Sequence, residues 1–335
     1  MHVWTLITAM PPTVGHVALM DFMAGLGDGG TAVVQTQAHE PDVDNRAEAI
    51  RQEANIRGLS CIHDGDTIEQ NPDTPGFQQM WIDRMRDEYG FEDGDILVTS
   101  EPYGKWLAEG LNGIWMPYDI KREVVPAKAS ALRNYGHMLW HEEAWSLLAP
   151  AYRDIHRKTI TTFGAESTGK TTTAVKLAKA WNGAFKPEWA RGYLEAVGPE
   201  VTNEKMQVIL EGQYALQGMQ MDKPFIIQDT DLFSTIGYWR MYDPEYYATV
   251  KEDIESLAMA TKSDLYVLCP SDIPFEPDQL RYGGDKREST DQYWIDLLEE
   301  FGLNYVIYKR NPSDYAVGEA IHNLMPDLTY DRKGY

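Results

Sequence analysis

The chain of 335 residues is long enough for two domains of ordinary size, and its 43% hydrophobic content, with 10 Trp and 19 Tyr, can fill two cores. A net charge of −22 argues against broad nucleic-acid binding, which needs clustered Lys and Arg, and no apolar run approaches the ~20 residues of a membrane span. Cys61 and Cys269 suit neither a disulfide framework nor a zinc site, and the start lacks the basic segment of a signal peptide. The expectation is a soluble, cytoplasmic protein that binds neither nucleic acid nor membrane.

In chain order, Val3–Thr8 reads as a strand, followed by a Pro11-Pro12-Thr13-Val14-Gly15-His16 turn and a helix over Val17–Leu26. Thr31–Thr36 is a second strand, Arg46–Arg57 a helix, Ser60–His63 a short strand and Gly76–Tyr89 a helix. Asp95–Ser100 is a further strand, ending in a turn at Glu101-Pro102-Tyr103-Gly104. Arg133 to Tyr152 reads as helical, and Pro150 to Lys158 as the connection to a second domain, with the boundary near Arg157. Strands alternating with helices predict a parallel sheet covered on both faces. The fold class is therefore α/β, with two doubly wound parallel-sheet domains spanning 1–156 and 157–335.

The second domain opens with Thr159-Ile160-Thr161-Thr162-Phe163, a buried strand, and then Gly164-Ala165-Glu166-Ser167-Thr168-Gly169-Lys170-Thr171, a complete phosphate-binding P-loop. Helical spacing of Ala174, Leu177, Ala178 and Trp181 follows. Backbone N–H groups from Gly164 to Thr172, with contributions from Ser167, Thr168 and Gly169, would cradle a polyphosphate at the helix N-terminus. Lys170 would reach the β- and γ-phosphates, and the Thr171 hydroxyl would hold Mg²⁺. Pro224–Asp229 is a strand that delivers Asp229 to the same rim, where it either holds Mg²⁺ or caps the next turn; Asp231 is a weaker candidate there. Pro244–Thr261 and Thr290–Phe301 are helices, and Leu265–Cys269 and Tyr305–Tyr308 strands. Thr261-Lys262-Ser263-Asp264 resembles a base-recognition motif but precedes its strand, so it reads as a helix-ending turn.

Phosphoryl transfer to a hydroxyl needs a carboxylate near the acceptor and cations over the γ-phosphate. Glu188, after a second strand, is the acceptor-side choice; Arg191, one turn on, either clamps phosphate or pairs with Glu188. Arg281 and Arg287, flanking Gly283-Gly284, suit a lid that swings arginines onto ATP. Trp189, Tyr193, Trp239 and Tyr242 either stack on a cationic ring or pack the core.

In the first domain, Thr13-Val14-Gly15-His16 resembles the His/Thr-x-Gly-His signature of the nucleotidyltransferase superfamily. The resemblance implies adenylyl transfer by direct attack on an α-phosphate, with Thr13 and Gly15 at the nucleotide and His16 donating to a phosphate oxygen. Ala127-Lys128-Ala129-Ser130-Ala131-Leu132-Arg133 is similar to the family's second phosphate element, Ile-Ser-x-Thr-x-Ile-Arg. Here Lys128 either replaces a hydroxyl by a charge or points to solvent, while Ser130 and Arg133 keep their places.

Taken in order, with Thr99-Ser100-Glu101-Pro102-Tyr103-Gly104, the P-loop, Pro187–Leu194 and Asp229-Thr230-Asp231, these motifs resemble the NadR family. Its members join a nicotinamide mononucleotide (NMN) adenylyltransferase to a ribosylnicotinamide kinase. The resemblance implies ATP, ribosylnicotinamide, NMN and NAD as ligands, and Ser100, Glu101, Tyr103, Trp189, Arg191 and Asp231 as substrate-binding. Family repressors carry a DNA-binding domain before the first catalytic strand; with a strand already at Val3, the expectation is a chain without one. A different nucleoside or phosphate acceptor, or a non-catalytic nucleotide sensor, are the alternatives, and a homo-oligomer is left open.

Overall fold

The computed structural model describes residues 1–27, 29–66, 68–275, 291–311 and 315–328. Arg281 and Arg287 lie outside the described residues. Contacts divide the described residues into one unit of Met1–His156 together with 326–328 and a second of Arg157–Met325.

The first unit carries five parallel strands, β1 (Val3–Ile7), β2 (Gly30–Gln35), β3 (Ser60–Asp64), β4 (Ile96–Thr99) and β5 (Ile114–Pro117), in the order β3-β2-β1-β4-β5. Alternation along the strands fills both faces. Val3, Ile7, Ala32, Val34, Ile96 and Val98 enter one core, and Trp4, Val33 and Leu97 the other. Helix α1 (Val14–Ala24) starts three residues earlier than the pattern suggested, because Thr13 and His16 close its first turn. Helix α2 (Val43–Ile56) likewise starts early, behind Asp42 in a left-handed conformation with φ 55°. The helix expected over Gly76–Tyr89 is α3 (Phe77–Asp83), ending in a π-type turn at Arg84–Glu88.

The turn read at Glu101–Gly104 is instead the start of α4 (Tyr103–Gly110). It packs so closely that a Cβ on Gly104 would lie 2.0 Å from Thr99 Oγ1. Strand β5 had no signal in the sequence: it is a short edge strand with Ile114 and Pro117 exposed, so it lacks buried alternation. The single helix expected over Arg133–Tyr152 is broken into α5 (Ala129–Leu132), a 3₁₀ run at Arg133–Trp140 kinked at Gly136, α6 (Glu142–Leu147) and α7 (Pro150–His156). Extended Leu148 bridges Thr13, and the Ala149 N–H donates to the Pro12 carbonyl at 3.1 Å.

Segment 150–156 is therefore no linker. Helix α7 packs on α2, where the Ala151 N–H meets Glu53 Oε1 at 2.8 Å and both Tyr152 Oη and His156 Nε2 reach Asp42 Oδ2.

The second unit is a parallel sheet of β6 (Lys158–Phe163), β7 (Ala184–Lys186), β8 (Phe225–Asp229), β9 (Leu265–Leu268) and β10 (Tyr305–Ile307), in the order β10-β9-β6-β8-β7. Helices α8 (Lys170–Ala180), α9 (Trp189–Val197), α10 (Asn203–Gly218), α11 (Leu232–Tyr242), α12 (Pro244–Ala260), α13 (Asp291–Glu300) and α14 (Ala316–His322) surround it. Phe163, Tyr266, Phe233, Trp239 and Trp294 form the aromatic centre of its core, and the Phe163 and Trp294 rings meet edge-on at 5.2 Å. Thr261 ends α12 as expected, and Asp264 binds the Thr159 N–H at 2.7 Å on the rim where β6 begins.

Candidate active sites

In each sheet the chain reverses direction beside its first strand, and ligand clefts in open parallel sheets form at the carboxyl ends of such strands. In the second unit that strand is β6. Gly164 leaves it at φ 126°, and a Cβ there would sit 2.6 Å from the Cys269 carbonyl oxygen, so the position requires glycine. Ser167 and Gly169 also have positive φ, 58° and 77°, which wraps the loop ahead of α8. Lys170 Nζ donates to the carbonyls of Gly164 at 3.1 Å and Ala165 at 2.7 Å. The Thr171 hydroxyl donates to Asp229 Oδ2 at 2.5 Å, and Asp229 is buried at the end of β8 in register with Thr162. The Thr168 hydroxyl is spent inside the loop on the Ala165 carbonyl at 2.9 Å, and Thr172 is exposed on the first turn of α8.

One cation here had no signal in the local sequence. Arg310, just after β10, donates to the Thr168 carbonyl, pairs with Asp272 and lies over the Tyr308 ring at 5.6 Å. Only its place after the last strand, on the same rim, could have flagged it.

The P-loop opens onto a cleft of about 650 Å³ lined by Glu166, Glu188, Arg191, Gln213, Thr230, Ser234, Thr235, Tyr238 and Tyr242. Glu188 precedes the first residue of α9, and Arg191 Nε lies 3.9 Å from its Oε2. Four sequence candidates, Trp189, Tyr193, Trp239 and Asp231, are not brought to this cleft. Trp189 stacks on Tyr193 at 5.0 Å and against α10, where a Cβ on Gly212 would lie 2.3 Å from the indole. Trp239 is core, its Nε1–H on Asn203 Oδ1 at 2.9 Å. Asp231 caps α11, accepting the N–H groups of Phe233 and Ser234 and the Tyr266 hydroxyl at 2.7 Å, and its burial pushes its pKa up to about 6. Tyr242 does line the cleft, stacked with Tyr238, which the sequence reading had not singled out.

In the first unit, the loop after β1 is held by two arginines. Arg46, fully buried on α2, donates to the carbonyls of Thr8 at 2.7 Å, Ala9 at 3.1 Å and Pro41 at 3.0 Å and pairs with Glu40 at 2.9 Å. Arg133 Nη1 donates to the Met10 carbonyl at 2.9 Å. The loop delivers Thr13 to the start of α1. There the Thr13 N–H donates to His16 Nδ1 at 3.0 Å, with Thr13 Oγ1 at the same distance. With Nδ1 accepting, the proton of a neutral ring belongs on Nε2. Burial, then the charges of Arg122 and Arg46, push the His16 pKa down to about 4, so the ring is neutral near pH 7.

These residues line a cleft of about 1120 Å³ that includes Thr13, Gly15, His16, Ser100, Glu101, Tyr103, Arg122, Lys128, Ser130 and Arg133. A Cβ on Gly15 would meet the Ala127 carbonyl at 3.1 Å, so the alanine in the second phosphate element packs on this glycine. Lys128 precedes α5 and faces the cleft, as does Ser130. Glu101 pairs with Arg122 at 3.1 Å, and the Tyr103 hydroxyl donates to the Leu6 carbonyl at 2.5 Å, which makes Tyr103 part of the wall. The hydroxyls of Thr5 and Ser100 are buried in the same cleft with no hydrogen-bond partner among the described residues. Phe77, Trp81 and Trp106 line it too, with the Gln70 amide on Gln35 Oε1 at 3.1 Å.

Comparison with known proteins follows the same division. A family model described as an AAA domain matches residues 159–314. The trifunctional NAD biosynthesis/regulator protein NadR of Escherichia coli (strain K12) is 22% identical over 280 residues, 80% of this chain and 66% of its own length. Its counterpart from Salmonella typhimurium is 22% identical over 51% of this chain and 42% of its own length. The chain thus spans about two thirds or less of these relatives. A crystal structure of a NadR protein in complex with NR superposes with a TM-score of 0.58 at 20% identity, covering 97% of this chain and 96% of that one. A second, in complex with NAD and AMP-PNP, gives 0.58 at 21% identity over 100% and 98%. The chain is homologous to NadR and shares its fold of two parallel-sheet α/β units.

Proposed function

We propose that the chain is a bifunctional transferase of NAD salvage: the second unit phosphorylates ribosylnicotinamide with ATP, and the first adenylates the resulting mononucleotide to NAD. The observation that supports this reading is that each sheet has its own cluster of polar side chains at the carboxyl ends of its strands, Lys170-Thr171 against Asp229 in one and Thr13–His16 in the other. The names of the related proteins, including complexes with NR and with NAD and AMP-PNP, support it.

In the kinase step, the acceptor hydroxyl oxygen attacks the γ-phosphorus, the bond to the β-phosphate oxygen breaks, and ADP leaves. Glu188 receives the hydroxyl proton, Lys170 turns from its loop carbonyls to the β- and γ-phosphates, and Arg191 balances phosphate charge. The Thr171 hydroxyl and the Asp229 carboxylate are hard oxygen donors 2.5 Å apart, a set that fits Mg²⁺, which keeps several waters and takes few protein ligands. When bound, Mg²⁺ would neutralise charge on the phosphates.

In the adenylyl step, a phosphate oxygen of the mononucleotide attacks the α-phosphorus of ATP, and pyrophosphate leaves with the bonding pair. His16 Nε2–H donates to an α-phosphate oxygen, while Lys128, Ser130 and Arg133 hold the leaving phosphates.

Incubation with ribosylnicotinamide and Mg-ATP, with products identified by mass, tests both halves. NAD supports the whole reading, the mononucleotide alone supports only the kinase, and neither product overturns it.

A further inference from the structure

Glu166, at the third position of the P-loop, lines the same cleft as Glu188. A carboxylate in a loop shaped for polyphosphate works against the loop's own ligand, a cost that a cation bound beside it offsets. Three further features lie in that cleft. Tyr238 and Tyr242 stack at 6.2 Å with 17° between ring planes, offering an aromatic face. Burial raises the Tyr238 hydroxyl well above its usual range, and the charges of Glu166 and Glu188 raise it further, which puts both carboxylates near that ring. One turn earlier on α11, the Ser234 hydroxyl is buried, 4% exposed for the residue, with no hydrogen-bond partner among the described residues.

We propose that Glu166, with Tyr238 and Ser234, selects a nucleoside whose base carries a fixed positive charge over a neutral base of the same size. Glu166 supplies the opposite charge, Tyr238 the face on which a planar cation lies, and Ser234 one hydrogen bond to a polar group of the nucleoside. The inference rests on the kinase reading of the second unit and adds to it the residues that set its substrate charge. The phosphate-binding loop thereby contacts both substrates, one through its backbone and the other through Glu166.

The test compares ribosylnicotinamide, a pyridinium cation, with its 1,4-dihydro form, which is neutral and nearly isosteric. Wild-type protein should favour the cation in kcat/KM. Glu166→Gln should raise KM for the cation roughly ten-fold while KM for the neutral form shifts less than about two-fold and KM for ATP does not rise. Glu166→Asp, which keeps the charge, should keep the preference. Ser234→Ala should raise KM for both nucleosides together, by about three- to ten-fold. An unchanged preference in Glu166→Gln overturns the inference, as does a parallel rise in KM for ATP, because Glu166 would then act through the loop. Wild-type protein that phosphorylates neither nucleoside overturns the kinase reading beneath it.

Discussion

His16→Ala separates chemistry from architecture in the first unit. The imidazole has two jobs: Nδ1 accepts the Thr13 N–H at 3.0 Å, which leaves the ring proton on Nε2, and the residue lines the cleft. Loss of a preorganised donor to the transferring phosphate should lower the rate of NAD formation from supplied NMN by about 10²–10³. Loss of the Nδ1 acceptor leaves a buried N–H at a helix start, which should cost about 1–2 kcal/mol of stability. His16→Glu keeps a capping acceptor at this position but places a negative charge against the phosphate, so it should recover stability and not rate.

The pH dependence has a defined sign. The folded-state pKa is about 4, below the usual 6.5, so the unfolded chain binds the extra proton between those values. The contribution of His16 to stability is then fully present above pH 6.5 and lost as pH falls through about 4, and the destabilisation of His16→Ala should shrink over that window. Rates from purified NMN and Mg-ATP, read beside urea melts at pH 5 and 7.5, check both parts. A folded His16→Ala protein that makes NAD at the wild-type rate would refute the assignment of this cleft.

Lys170→Ala should abolish phosphorylation of ribosylnicotinamide and leave adenylylation of supplied mononucleotide intact; equal loss of both in a folded protein contradicts separate sites. Gly164→Ala should cost about 2–3 kcal/mol and most kinase activity, because φ 126° and a Cβ 2.6 Å from the Cys269 carbonyl force the loop to move. For Asp231, the folded-state pKa of about 6 lies above the usual 3.8, so its charge burdens the fold at neutral pH. Relative to Asp231→Asn, wild-type stability should be greatest below pH 4 and fall by up to about 3 kcal/mol as pH rises through 6, as read by denaturant melts across that range.

What the residue order determined by itself was whatever depends on neighbours in the chain. The P-loop was legible because its glycines, lysine and threonine act within one turn of backbone. The two parallel sheets were legible because short apolar or β-branched runs such as Val3–Ile7 and Thr159–Phe163, each followed by a helical pattern, are local signals. His16 was legible through the resemblance of Thr13-Val14-Gly15-His16 to a nucleotidyltransferase signature, a motif confined to four consecutive residues. Edge strand β5 and the break after Trp140 were not, since one lacks buried alternation and the other is set by Leu148 bridging back to Thr13.

Tertiary structure decided the rest, through contacts that join distant positions. Arg46 holds the Thr8–Ala9 loop from 37 and 38 residues away, and Arg310 meets Thr168 from 142 residues away. Asp231 and Trp189 looked like site residues by motif, but burial against Tyr266 and Gly212 took them out of the cleft, while the turn of α11 brought Tyr238 and Ser234 into it. Sequence spacing fixes what a side chain can do within a turn or two; which of those capacities faces a cleft is set by packing, and packing energies belong to the fold as a whole.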